Sequence, residues 1–146
     1  MKTIERNKKI PSVNYHLWEP CNMRCKFCFA TFQDVKMQLP KGHLPKEESF
    51  KLVKEIANFG FQKITFAGGE PTLCPWISEL IKLAKENGLT TMIVTNGSKL
   101  SEEFLIQNQN NLDWIILSID SIREETNIES GRAITGKKPI LEEDYK

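Results

Sequence analysis

No apolar run in the 146-residue chain approaches the ~18–20 residues needed to cross a bilayer, so no membrane-spanning helix is predicted. The opening Met1-Lys-Thr-Ile-Glu-Arg-Asn-Lys-Lys9 has no apolar segment of the kind a secretory signal carries. A dominant charge is missing too. Lys and Arg number 20, Asp and Glu 19, and the formal net charge is +1. That balance predicts no general attraction to nucleic acid or to acidic membranes, leaving only local basic clusters to meet a phosphate. Cysteine is scarce, four in all, which argues against a disulfide scaffold. Repeats, low-complexity tracts and linkers are absent. The expectation is a cytoplasmic protein in a reducing compartment, one domain or part of a larger one.

Three of the four cysteines nevertheless lie within eight residues, in Glu19-Pro20-Cys21-Asn22-Met23-Arg24-Cys25-Lys26-Phe27-Cys28-Phe29. Thiolates at this spacing can surround one soft, thiophilic centre, and iron–sulfur clusters take such ligands. A structural zinc site usually needs a fourth Cys or His. The candidates are Cys74, His16 and His43, none at a zinc-ribbon spacing. A cluster held by three cysteines instead keeps one iron open to a small molecule, much as a catalytic zinc keeps an open position. Plain thiols are the remaining alternative.

Periodicity predicts how the rest of the chain is arranged. Residues 1–11 read as a polar lead-in, and Ser12–Trp18 as a first strand ending at the cysteine loop. The stretch from Thr31 to Leu44 reads as a loop with at most one helical turn. Pro45–Phe59 has helical spacing, with proline at the start and Gly60 at the stop. Lys63–Ala67 is a second strand, broken by Gly68-Gly69, and Trp76–Glu86 a second helix ended by Asn87-Gly88. Thr90–Thr95 is a third strand, and a third helix opens at Ser101. Leu112–Asp120 reads as a fourth strand, so continuously apolar that both its faces are expected to be covered. Ile140–Lys146 resembles the first turns of another helix.

Alternating strands and helices predict an α/β fold with a parallel sheet, a partial (β/α) barrel of about four units. The fourth strand would then be an open apolar edge. The expectation is that residues 12–146 form the N-terminal part of an incomplete core, truncated or covered by a partner. Candidate groups fall just past strand C-termini, the face where such sheets bind ligands.

Each of these groups also has an ordinary reading. Gly68-Gly69-Glu70-Pro71 can admit a ligand close to the backbone and offer a carboxylate to an ammonium group, or be a plain turn. Asn96 and Ser118 can bond hydroxyls or a carboxylate, or serve as turn and strand-end residues. Asp120 can be an Asx turn or helix cap. Gly131-Arg132 with Gly136-Lys137-Lys138 resembles a phosphate-loop fragment, although it lacks the preceding strand and the Ser/Thr of a Walker A loop. Lys63 faces solvent or inward according to where its strand starts. Cys74 reads as a small buried hydrophobe outside the cluster, and Phe27 and Phe29 as possible shields for it.

The spacing Cys21-x3-Cys25-x2-Cys28 with Phe27 before the last cysteine resembles the signature of the radical S-adenosylmethionine (SAM) enzymes. The likeness extends further. Ser12-Val-Asn-Tyr-His-Leu17, Lys63-Ile-Thr-Phe-Ala-Gly-Gly-Glu-Pro71, Val94-Thr-Asn-Gly-Ser98, Leu112–Ser121 and Gly131-Arg132…Gly136-Lys-Lys138 resemble viperin and its prokaryotic antiviral relatives. The resemblance implies a 4Fe-4S cluster on Cys21, Cys25 and Cys28. It implies SAM contacts from Gly68, Gly69, Glu70, Asn96, Ser118 and Arg132, with Glu70 at the methionyl amine. Asn14 and Lys63 would face a nucleoside triphosphate such as CTP, the lysine towards its phosphates. The implied reaction is reductive SAM cleavage and conversion of the nucleotide to its 3′-deoxy-3′,4′-didehydro form, with a flavodoxin- or ferredoxin-type electron donor. Two rival readings stand beside it: a non-catalytic cluster-binding fragment, and a radical SAM enzyme acting on another substrate such as a peptide.

Overall fold

A computed structural model describes residues 11–28 and 42–132. The expectations for residues 1–10, for 29–41 and for the segment from 133 onward, including Lys137, Lys138 and the helical turns at 140–146, lie outside the described residues. Four strands form one sheet in the order β1-β2-β3-β4, all neighbours parallel. They are β1 (Val13–Trp18), β2 (Lys63–Gly68), β3 (Thr90–Thr95) and β4 (Trp114–Leu117). The intervening helices are α1 (Lys46–Phe59), α2 (Ile77–Glu86) and α3 (Glu102–Asn108), and α4 (Glu124–Ser130) follows β4. A single 3-10 turn, Pro71–Leu73, precedes α2. None of the described helices is long and apolar enough to cross a membrane.

The helices form where apolar spacing, breakers and caps agree. Ser49, Val53 and Ile56 put one face of α1 inward, and Gly60, with φ 100°, ends the helix in the left-handed conformation its missing Cβ permits. Ile77, Leu80, Ile81 and Ala84 do the same for α2. The Ser101 hydroxyl accepts the Phe104 N–H at 3.1 Å and caps α3. Helix α4 was not among the predicted elements, because its apolar content is too low to show a period.

Register sorts the sheet into two faces. Tyr15, Leu17, Ile64, Phe66 and Ile93 join α1 and α2 in the core, where each large buried side chain contributes about 1.5–3 kcal/mol. The opposite face carries Asn14, His16, Thr65, Ala67, Met92 and Val94. Strand β4 departs from expectation. It covers only Trp114–Leu117, and all four of its residues are exposed, Trp114 by 62%. Continuous apolarity predicts cover on both faces, yet among the described residues β4 has a strand on one side only and little helix packed upon it. Among the described residues the predicted open edge is therefore seen and the predicted double cover is not.

Candidate cofactor site

The cysteine loop leaves β1 through an irregularity between His16 and Trp18, which brings Trp18 opposite Gly68. The loop is then bonded to the tip of β2. Gly69 N–H donates to the Trp18 carbonyl at 2.7 Å, and Glu70 N–H to that of Pro20 at 2.9 Å. Both glycines are sterically required. A Cβ on Gly68 would lie 2.4 Å from the Trp18 oxygen, and one on Gly69 2.3 Å from that of Glu19. Absent Cβ atoms thus admit the cysteine loop's own backbone, a use that the turn-or-ligand alternatives did not include.

The loop's other flank is held by the end of α4. Arg24 N–H donates to the Gly131 carbonyl at 3.1 Å and Lys26 N–H to that of Ser130 at 2.8 Å. Gly131, at φ 78°, closes α4, and a Cβ there would meet the Arg24 oxygen at 2.1 Å. Met23, buried, anchors the loop between these flanks.

Cys21, Cys25 and Cys28 open onto one cavity together with Gly68, Gly69, Asn96, Ser118 and Arg132. Eight of the eleven predicted site residues meet there, from strand tips remote in sequence. Glu70 lies behind this lining, wholly buried. Asn14 and Lys63 stand further back, towards the N-terminal ends of β1 and β2. Register places Lys63 on the same sheet face as Thr65 and Asn14.

The donor set fits an iron–sulfur cluster. All three thiols are partly buried, and no cysteine is disulfide-bonded. Burial pushes the Cys25 thiol up; the Arg132 guanidinium opposes this, while Cys28, Cys21 and Asp120 add to it. The three thiols and the Arg132 cation line the same cavity. Among the described residues no three His, Cys, Asp or Glu side chains gather tightly enough for a single metal ion. Of the three candidate fourth ligands for zinc, Cys74 is buried in the core and His43 stacks on Trp18 with ring centroids 3.8 Å apart, while His16 lines the cavity with the three cysteines. In a polynuclear cluster each thiolate binds a different iron, so adjacent thiols need not converge on one point.

Charged groups complete the surroundings. Arg132, buried, is ion-paired with Asp120 and lies over the Phe27 ring, 5.6 Å from its centroid. The Asp120 pairing replaces the turn or cap role considered for it. The Glu70 carboxylate accepts Thr72 N–H at 3.0 Å, Thr72 Oγ1 at 2.5 Å and Thr95 Oγ1 at 2.6 Å on Oε1, and Asn96 N–H at 2.7 Å on Oε2. It ties the tip of β2 to that of β3. Asn22 and Thr95 were not singled out by sequence reasoning. Asn22 donates to Ser98 Oγ at 2.8 Å and accepts from Asn96 Nδ2 at 2.9 Å. Their only signal was position, beside a cysteine or at a strand tip.

The radical SAM superfamily model matches residues 17–144. A protein named S-adenosylmethionine-dependent nucleotide dehydratase from Lacinutrix mariniflava is 66% identical over 138 residues, covering 94% of this chain and 29% of the relative. One of the same name from Flammeovirga pacifica is 66% identical over 139 residues, covering 94% and 48%. The chain thus spans less than half the length of these two relatives. Among solved structures, Streptococcus suis SuiB bound to precursor peptide SuiA aligns with a TM-score of 0.65 at 21% identity, over 84% of this chain and 27% of SuiB. That likeness bears on the fold. With three cysteines on one loop, a parallel α/β sheet presenting its strand tips to them, and a family match across most of its length, the chain belongs to the radical SAM superfamily.

Proposed function

We propose that this chain supplies the cluster- and SAM-binding part of a nucleotide dehydratase of the viperin type. The observation that carries the reading is the single cavity shared by Cys21, Cys25 and Cys28 with Gly68, Gly69, Asn96, Ser118 and Arg132. Radical SAM enzymes use a 4Fe-4S cluster and SAM, which together supply a reactive carbon radical upon one-electron reduction.

In this reading Cys21, Cys25 and Cys28 hold the cluster. Gly68 and Gly69 set the backbone against which SAM lies, and Asn96, Ser118 and Arg132 supply polar contacts. The Arg132 guanidinium suits a carboxylate. Glu70 serves the same ligand from behind the lining. Asn14 and Lys63 orient a nucleoside triphosphate such as CTP across the sheet face, and Met92 and Val94 on that face keep water from it. Transfer of the ribose 4′ hydrogen atom to that radical, then loss of the 3′ hydroxyl as water with uptake of one proton and a second electron from the donor, gives the 3′-deoxy-3′,4′-didehydro nucleotide. Residues 12–146 act as one unit after a lead-in at 1–11, in the cytoplasm, reduced by a flavodoxin- or ferredoxin-type donor and engaging no nucleic acid or membrane.

The experiment reconstitutes the chain anaerobically with iron and sulfide, adds dithionite and SAM, and measures 5′-deoxyadenosine alone, with each nucleoside triphosphate and with a peptide mixture. Formation stimulated by a triphosphate is expected. Stimulation by peptides alone, or no 5′-deoxyadenosine from a cluster-loaded chain, overturns the dehydratase reading for this chain.

A further inference from the structure

Asn96 stands one residue past β3, and each polar atom of its side chain is engaged. Oδ1 accepts the Ser98 N–H at 2.9 Å. Nδ2 donates to Asn22 Oδ1 at 2.9 Å and to Cys21 Sγ at 3.8 Å. The orientation of the amide follows from the network, because turning it over would set the amide nitrogen against the Ser98 N–H. The backbone of Asn96 is held as well, its N–H reaching the wholly buried Glu70 carboxylate at 2.7 Å. A second N–H, that of Met23, points at the same sulfur at 3.4 Å.

An N–H aimed at a ligand sulfur stabilises negative charge on it. It therefore favours the one-electron-reduced form of an iron–sulfur centre over the oxidised form and raises the reduction potential. We propose that Asn96 tunes the reduction potential of the cluster through its amide bond to Cys21. The inference rests on the cluster-binding reading above and adds a role for Asn96, otherwise considered only as a SAM contact. The electron itself comes from an external one-electron donor, and the amide takes no part in bond breaking.

The test is an electron-paramagnetic-resonance redox titration of the full chain, reconstituted anaerobically and without SAM, for wild type, Asn96→Ala, Asn96→Asp and Asn22→Ala. Iron and sulfide content is matched across the set. The expected result is a more negative midpoint potential for Asn96→Ala than for wild type, with Asn22→Ala, which keeps the donor to Cys21, at the wild-type value. Asn96→Asp preserves the Ser98 bond but replaces the donor by a charged acceptor, so it lies lower still and stands in if the alanine variant takes up no cluster. Cluster-loaded Asn96 variants that titrate with wild type overturn the proposal. So does an Asn22→Ala shift equal to that of Asn96→Ala. A wild-type chain that takes up no iron or sulfide overturns the cluster reading instead, and the two failures are thereby told apart.

Discussion

Ile93 and Ile115 are partners across the β3–β4 ladder, alike in chemistry and side by side in the sheet. Ile93 is 0% exposed and Ile115 38%. Between them runs the boundary between two parts of the molecule. On one side β1, β2 and β3 are backed by α1 and α2 and carry the cavity at their tips. On the other, β4 is the more apolar strand and the less covered one. Burial here follows what lies above and beside a residue, and composition alone does not report it.

Substitutions sharpen the contrast. Ile93→Ala is expected to have the largest effect, destabilising by about 2–5 kcal/mol through lost burial and the cavity left behind. Urea denaturation measures it, and a loss below about 1 kcal/mol would show that the helix-backed side is not the stable core. Asp113→Asn is intermediate. Asp113 sits just before β4, pairing with Lys85 at 2.6 Å and accepting Thr91 N–H at 2.8 Å. Burial pushes its carboxyl up, but the bonds from Lys85 and Thr91 outweigh that and leave it below the usual carboxylate value. A lowered folded-state pKa gives stability that is present above the unfolded value near ~3.9 and lost as pH falls through the folded one. The variant should therefore cost up to about 1 kcal/mol at pH 7, and its gap from wild type should close below pH ~4. Thermal melts at several pH values check the sign, and a gap that widens in acid contradicts it. Ile115→Ala is expected to matter least, within about 1 kcal/mol, since the side chain is already exposed. A larger loss in the same urea series would mean that β4 is covered in solution.

Some of the site was legible because its chemistry is local. The cysteine spacing, the glycine pair after β2 and the Asn96-Gly97 break after β3 are each read within a few residues, and each falls where a parallel sheet presents its strand tips. The reason for the glycines was legible only in part. Sequence offers a turn or a ligand's approach, whereas Gly68, Gly69 and Gly131 each make room for another segment's backbone. Glu70 shows the same limit. A carboxylate at a strand tip suggests a ligand contact, but the Thr95 and Asn96 groups it accepts from lie one β/α unit away and are not identifiable from its neighbours. The overestimate of β4, written as Leu112–Asp120 with cover on both faces, has a related cause. An apolar run records what a strand can bury; whether it is buried depends on neighbouring elements.

By itself the sequence determined the alternation of strands and helices, the parallel sheet and the three-thiol loop, because periodicity, breakers and ligand spacing act over a few residues. Only the tertiary structure decided which side chains surround those thiols, that Glu70 braces the β3 tip from behind the lining, and that Arg132 lies between Asp120 and Phe27. Those relations depend on strand register and on close backbone approach between distant segments, which no local pattern encodes.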